Sequence, residues 1–202
     1  MNRRGLAAHA RAACVLAFAA GCGTSEDTMR DLRSPNALQQ LRAINEIIRN
    51  GDAGSDAVAL LALRLESPVP QVSVRAAHAL GTIGERGVPA LARGLKSPES
   101  ETRWKAACGL TVAGSAAREA SPALINALLD ANALVRQQAA VALGRMGARD
   151  AIAALKARQR EEGDPMAREA IAGALHMLGD AAPAATGTVR TIEGRGGTET
   201  PP

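Results

Sequence analysis

An apolar residue followed four positions later by glycine occurs five times along this chain: Ile47/Gly51, Leu80/Gly84, Leu110/Gly114, Leu143/Gly147 and Leu175/Gly179. Successive glycines lie 33, 30, 33 and 32 residues apart. A period of this size, kept over five copies, argues against one closed core. It predicts a helical hairpin copied and stacked, in which each copy buries its apolar face against the next.

The residues ahead of the glycines support a helix in every copy. The segments VSVRAAHALGTIG (72–84), TRWKAACGLTVAG (102–114), VRQQAAVALGRMG (135–147) and AREAIAGALHMLG (167–179) align without gaps, and QLRAINEIIRNG (40–51) is a divergent first copy. Apolar residues and alanines recur at three- and four-residue spacing, as one buried stripe on a helix requires. Alanine favours helix and lets neighbouring helices approach closely. The closing glycine suits the left-handed residue that commonly ends a helix. A second helix is predicted after each turn, over 57–65, 87–95, 121–129 and 151–159, with Leu61/Leu65, Leu91/Leu95 and Leu124/Leu128 as its stripe. Pro89 and Pro122 fall in first turns, where a missing N–H costs nothing, and Ser121 is read as an N-cap. Ser67-Pro68, Ser97-Pro98, Asp130-Ala131-Asn132 and Asp164-Pro165 mark the connecting loops. No segment shows convincing β alternation. The expected fold is an all-α solenoid of about four and a half hairpins, with Leu80, Leu110, Leu143 and Leu175 as its interior ladder and Gly84, Gly114, Gly147 and Gly179 as its turns.

These units resemble the HEAT repeat, in the short variant also found in phycocyanobilin lyases. The family pattern is close to V-R-x-x-A-A-x-A-L-G-x-x-G, followed by a helix opening A-V-P-A-L. Residues 135–147 match it fully, residues 72–84 match with Ser73 in place of the arginine, and Val88-Pro89-Ala90-Leu91 matches the second helix. The resemblance covers residues 36–180. Rival helical repeats fit badly, because the tetratricopeptide needs aromatic positions that a chain with one Trp, one Phe and no Tyr cannot supply.

The two ends are different in kind. Arg3, Arg4 and Arg11 precede a short apolar run, Ala12 to Ala20, that ends at Gly21-Cys22. That run is too short to span a bilayer, so residues 1–21 are read as a cleaved export signal. Ala19-Ala20-Gly21-Cys22 resembles a bacterial lipobox, whose cysteine is acylated and becomes the first mature residue. The family's leucine is Ala19 here, and ordinary cleavage after a small residue is the other reading. By the same resemblance Gly23, which is not aspartate, implies the outer membrane facing the periplasm. Residues 22–35 are read as a lipid-anchored flexible tether and 181–202 as a disordered tail rich in Thr, Gly and Pro. Losing Arg3, Arg4 and Arg11 from 24 basic residues, against 20 acidic ones, leaves a mature charge of +1. The full chain's basic balance is therefore poor evidence for nucleic acid, which wants a dense basic surface. No nucleic-acid partner is expected.

Little in the chain points to catalysis. His78 and His176 sit alone on their helices, with no His/Cys/Asp/Glu cluster at metal spacing, so neither a metal nor a cofactor is expected. The glycine pairs lack the strand and the Gly-Lys-Ser/Thr ending of a phosphate loop. Cys108 reads as a small core hydrophobe or a reactive thiol. Arg103, Arg136 and Arg168 recur seven residues before the anchoring leucines. They form either an anion-binding row or, as in HEAT arrays, structural pairs with loop acids, for which Glu99, Glu101, Asp130 and Asp164 are at hand. Trp104, the one mature aromatic, is a candidate binding hot spot or a residue packed on the neighbouring repeat. By resemblance the second helices line the concave face, where Arg64, Arg93, Lys96, Lys156, Arg158 and Arg160 stand against Glu66, Asp130, Glu161 and Glu162. The final helix, 166–178, either caps the array or offers its outer side to a partner.

The expected function is a non-catalytic protein–protein interaction scaffold, lipid-anchored at Cys22 in a bacterial envelope, with Trp104, Arg64, Arg93, Lys96 and Lys156 as candidate partner-binding residues. The alternatives are a lyase-like accessory acting on a tetrapyrrole or a protein, and a passive envelope spacer.

Overall fold

A computed structural model describes residues 26–51 and 53–180. The signal, Cys22 and the C-terminal tail fall outside the described residues. Ten α-helices follow in order: α1 (Glu26–Arg33), α2 (Ala37–Asn50), α3 (Ser55–Arg64), α4 (Pro70–Thr82), α5 (Val88–Gly94), α6 (Ser100–Ala113), α7 (Ser121–Ala127), α8 (Ala133–Met146), α9 (Ile152–Glu161) and α10 (Pro165–Met177). Among the described residues there is no strand. The first helices of the hairpins, α2, α4, α6, α8 and α10, pack each on the next, and each second helix packs on the following first helix. Their inward residues merge into one continuous apolar cluster from Leu32 to Leu178. Leu80, Leu110 and Leu143 are fully enclosed in it and Leu175 nearly so. This is an all-α solenoid.

The hairpin turns follow from the glycines. Gly51, Gly84, Gly114, Gly147 and Gly179 have φ between 55° and 77°, and among the described residues no other residue has positive φ. A Cβ in that region meets the backbone, so glycine ends these helices at no steric cost. At Gly114 ψ is −127° rather than the small positive value of a left-handed cap. The chain leaves it into a seven-residue 3-10 segment, Gly114–Ala120, against three residues at Gly84–Arg86 and Arg149–Ala151. That longer turn accounts for the 33-residue step to Gly147.

Glycine serves a second purpose where α4 and α6 cross. A Cβ on Gly109 would stand 2.6 Å from the carbonyl oxygen of Ala77, and one on Gly81 would run into the carbonyl of Gly109. The two backbones touch there without side chains between them. The same register position is Gly81, Thr111, Gly144 and His176 in successive repeats. A Cβ on Gly144 would lie 2.5 Å from Met177 Cε and 3.0 Å from Ala174 Cα. At the end of the array that position carries an exposed imidazole instead.

Two expectations are corrected by the fold. Residues 26–33 belong to α1 and not to a flexible tether. Leu32 is fully buried, Thr28 donates to Glu46 Oε2 at 2.7 Å, and both Nε and Nη2 of Arg64 donate to Leu32 O. The polar composition that reads as linker is an amphipathic single helix covering the open end of the first hairpin. Ser121 is not an N-cap: it is the first helical residue of α7, and its hydroxyl donates to Asp150 Oδ2 at 2.7 Å, across to the next repeat. The side-chain caps lie on first helices, where Asn36 accepts from Leu38 N, Asn132 from Leu134 N and Asp164 from Ala167 N.

Candidate functional site

The recurring arginines join neighbouring repeats. Arg103 sends Nε and Nη2 to the two carboxylate oxygens of Asp130, at 2.6 and 2.9 Å. Arg136 grips Glu162 in the same way, at 2.8 and 2.7 Å. Each acid lies just before the next repeat's first helix and also accepts from the backbone N–H two residues on, Asn132 for Asp130 and Asp164 for Glu162. The spare Nη1 of each arginine donates to its own repeat's loop carbonyls, Ser97 and Pro98 for Arg103, Asp130 and Ala131 for Arg136. Two planar forks thus clamp a carboxylate ahead and a loop behind, which is the geometry guanidinium serves best. The Arg136 hydrogen bonds hold the Glu162 carboxyl far below the usual range, and the Arg103 hydrogen bonds lower that of Asp130. Arg168 donates to the main-chain oxygen of Glu162, the loop carbonyl behind it, and among the described residues no acid of a following repeat meets it.

This arrangement is a stacking device and leaves no anion row. The acids differ in part from those at hand in the sequence. Glu162 is the partner of Arg136 and also receives Nε of Arg158 at 3.0 Å, while Asp164 serves as a cap. At the register of the arginine, repeat two has Ser73, fully buried and bonded to Val69 O and Pro70 O. At the register of its missing acid, repeat three has Ser97.

The candidate partner-binding residues divide accordingly. Arg64 is committed to holding α1, and Lys156 pairs with Asp180 at 2.6 Å. Arg158 is tied to Glu162. Arg93 and Lys96 are exposed and, among the described residues, in no ion pair. Both line a groove of about 360 Å³ between α3 and α5, beside Ala62, Leu63 and Glu66, and Leu63 is two-thirds exposed. Trp104 is on the opposite side, on the first helices. It packs half-buried against the core and shares a small groove with Leu134 and Asn132 of the next repeat. A larger opening of about 840 Å³ at the turn ends is lined by Arg118, Arg149, Asp150 and Met177.

Cys108 does not have the surroundings of a reactive thiol. It is partly buried on α6, and burial pushes its thiol up to about 11, where little thiolate exists at neutral pH. Among the described residues no group of three His, Cys, Asp or Glu side chains could hold a metal ion. None of the described helices is long and apolar enough to cross a membrane.

Known proteins show the same architecture. HEAT repeats match residues 88–176. The complex of CpcE and CpcF of phycocyanin lyase from Nostoc sp. PCC7120 is similar at 26% identity and a TM-score of 0.57, over 75% of this chain and 63% of that one. The chain therefore spans less than two thirds of that relative's length. An engineered protein (21% identity, TM-score 0.51, 75% of this chain and 78% of that one) and a TOG-domain array of a microtubule polymerase (12%, 0.50, 74% and 39%) share the fold. No curated protein matches the sequence. Five glycine-closed first helices, four of them followed by a second helix, arginine clamps between repeats and these likenesses together make the chain similar to the HEAT-repeat proteins.

Proposed function

We propose that the chain is a non-catalytic interaction scaffold of a bacterial cell envelope, anchored by acylation of Cys22 and presenting its second-helix face to another protein. The observation that carries it is the groove between α3 and α5, where exposed Leu63 and Glu66 stand beside Arg93 and Lys96, two cations that among the described residues are in no ion pair. Apolar surface rimmed by unpaired charge is the usual composition of a protein-binding patch. An acidic partner segment with one or two apolar side chains would complement it. The export signal and the lipobox-like Ala19-Ala20-Gly21-Cys22 support the envelope, with Gly23 favouring the outer membrane.

A photo-crosslinking residue at position 63 tests the reading in cells. A discrete adduct that disappears in an Arg93→Glu/Lys96→Glu chain is expected. Adducts unaffected by that double substitution, or none at all, would defeat it. Acyl labelling lost with Cys22→Ala tests the anchor, and membrane retention unchanged by the substitution argues against it.

The likeness to CpcE and CpcF favours a second reading, an accessory to bilin attachment. The described chain offers one aromatic side chain, Trp104, to a planar chromophore. Absorbance of a bilin left unaltered by the protein would dismiss this reading.

A further inference from the structure

We propose that the first-helix face of repeats one to three is a docking surface for an anionic lipid bilayer, so that the array lies on the membrane with its second-helix face outward. The choice of lipid as occupant rests on the Cys22 anchor.

The face is built by register. Six residues before the anchoring Ile47, Leu80, Leu110, Leu143 and Leu175 stand Leu41, Val74, Trp104, Gln137 and Glu169. One residue further on stand Arg42, Arg75, Lys105, Gln138 and Ala170. The apolar-then-cationic step thus occurs in the first three repeats and stops there. Leu41, Val74 and Arg75 line one open groove of about 500 Å³ with Asn45 and Pro70. Trp104 continues the row into the groove it shares with Leu134. Leu38, on the same helix as Leu41, is 73% exposed.

Arg42, Arg49 and Arg75 are exposed on these helices and, among the described residues, in no ion pair. Lys105 differs, being buried and paired with Glu101 at 2.7 Å. Glu46, the one carboxylate on α2 and α4, accepts from Thr28, and the Glu101 side chain, two-thirds exposed, lines the groove of Trp104. Apolar side chains flanked by long cationic ones fit an interface in which guanidinium groups meet phosphate while their stems and neighbours enter the acyl boundary. Tryptophan favours that same depth.

The chain's geometry brings a bilayer within reach. Glu26 opens α1 four residues after Cys22, a span of at most about 14 Å. Because α1 is packed on α2 and α3, an acylated Cys22 holds the first repeat about one tether length from the lipid.

The test uses residues 22–202, which contain every described residue, carrying Cys22→Ser and no acyl chain. Cosedimentation with vesicles rich in phosphatidylglycerol is expected, with a blue shift of Trp104 emission. Pure phosphatidylcholine vesicles should leave the protein in solution. Arg42→Gln/Arg75→Gln should weaken binding about thirtyfold, and Val74→Asp should abolish the emission shift while circular dichroism stays unchanged. Arg93→Gln/Lys96→Gln, on the other face, should bind as the parent does. No binding, equal binding to both lipids, or an equal loss from the second-helix pair would overturn the proposal. So would a Trp104 shift with an acidic amphipathic peptide but not with vesicles, which would assign the face to a protein. Acyl labelling of the wild type separates the two readings. Labelled Cys22 without vesicle binding overturns the face and keeps the anchor, whereas vesicle binding without labelling supports the face and removes the anchor.

Discussion

Arg136 and Glu162 meet through two parallel hydrogen bonds of 2.8 and 2.7 Å, and the carboxylate side chain between them has no solvent exposure. A buried ion pair gains stability only when its remaining lone pairs are also satisfied. Here they are: Arg158 Nε and Asp164 N complete the set, and the main-chain oxygen of the same residue takes Arg168. Among the described residues no buried side-chain polar atom lacks a partner. Glu162 therefore links the fourth and fifth repeats at one point, and its loss should be felt by both.

Glu162→Gln is expected to lower stability by about 3 kcal/mol, because it leaves the largely buried Arg136 guanidinium without its counter-charge. The pH response follows from the direction of the shift. The folded-state carboxyl is held below its unfolded value, chiefly by the Arg136 hydrogen bonds. Its contribution is thus complete above the unfolded pKa of about 4.3 and is lost as pH falls below that toward the folded value. Thermal melts from pH 7 to pH 2 should show the wild-type midpoint dropping toward that of the variant at the acid end. Parallel pH curves for the two proteins would refute the assignment.

Ser73 and Ser97 occupy the positions that in the next two steps hold Arg103 with Asp130 and Arg136 with Glu162. Both halves of one clamp are replaced together. Ser73→Arg alone inserts an unpaired cation at a fully buried site and should destabilise. With Ser97→Asp added, a third clamp can form. A double-mutant cycle is expected to give a favourable coupling of about 1–3 kcal/mol. Additive effects would mean that the clamps do not transfer between repeats.

The helices, turns and interior ladder were legible because each is set by local chemistry repeated five times: alanine spacing, a leucine or isoleucine and a glycine with positive φ. The partners of the arginines were only half legible. Asp130 is close to the loop signal, but Glu162 follows a run of mixed charge, Lys156 to Glu161, and looks like one more solvated residue. Its role shows only when position 130 is carried forward by one repeat. The helix α1 was hidden for another reason. It matches no repeat, and its eight residues hold one fully buried leucine, Leu32, too few for periodicity to speak. Arg64 looked like a surface cation because nothing in its own repeat names the Leu32 carbonyl it binds.

Cys108 is expected to react slowly. With its thiol pushed up to about 11 by burial, the thiolate fraction at pH 8 falls about a hundredfold below that of a free cysteine. Timed labelling with an aromatic disulfide under native conditions, against the same protein in guanidinium, checks this. Equal rates would mean that the thiol is open to solvent.

Two glycines on first helices should respond oppositely to the same substitution. Alanine in a helix interior is worth roughly 0.5–1 kcal/mol more than glycine when nothing opposes it. At Gly173, on the exposed side of α10, an added Cβ meets nothing within 4 Å, so Gly173→Ala should stabilise by about that amount. At Gly109 the added Cβ would stand 2.6 Å from both Ala77 O and Leu91 Cδ2. The leucine can turn away, but the carbonyl is part of α4 and cannot move without parting the two helices. Gly109→Ala should therefore cost about 1–3 kcal/mol despite its better propensity. Chemical denaturation of both variants measures the contrast. If Gly109→Ala is as stable as Gly173→Ala, α4 and α6 are not in backbone contact, and the close stacking of this array would have to be redrawn.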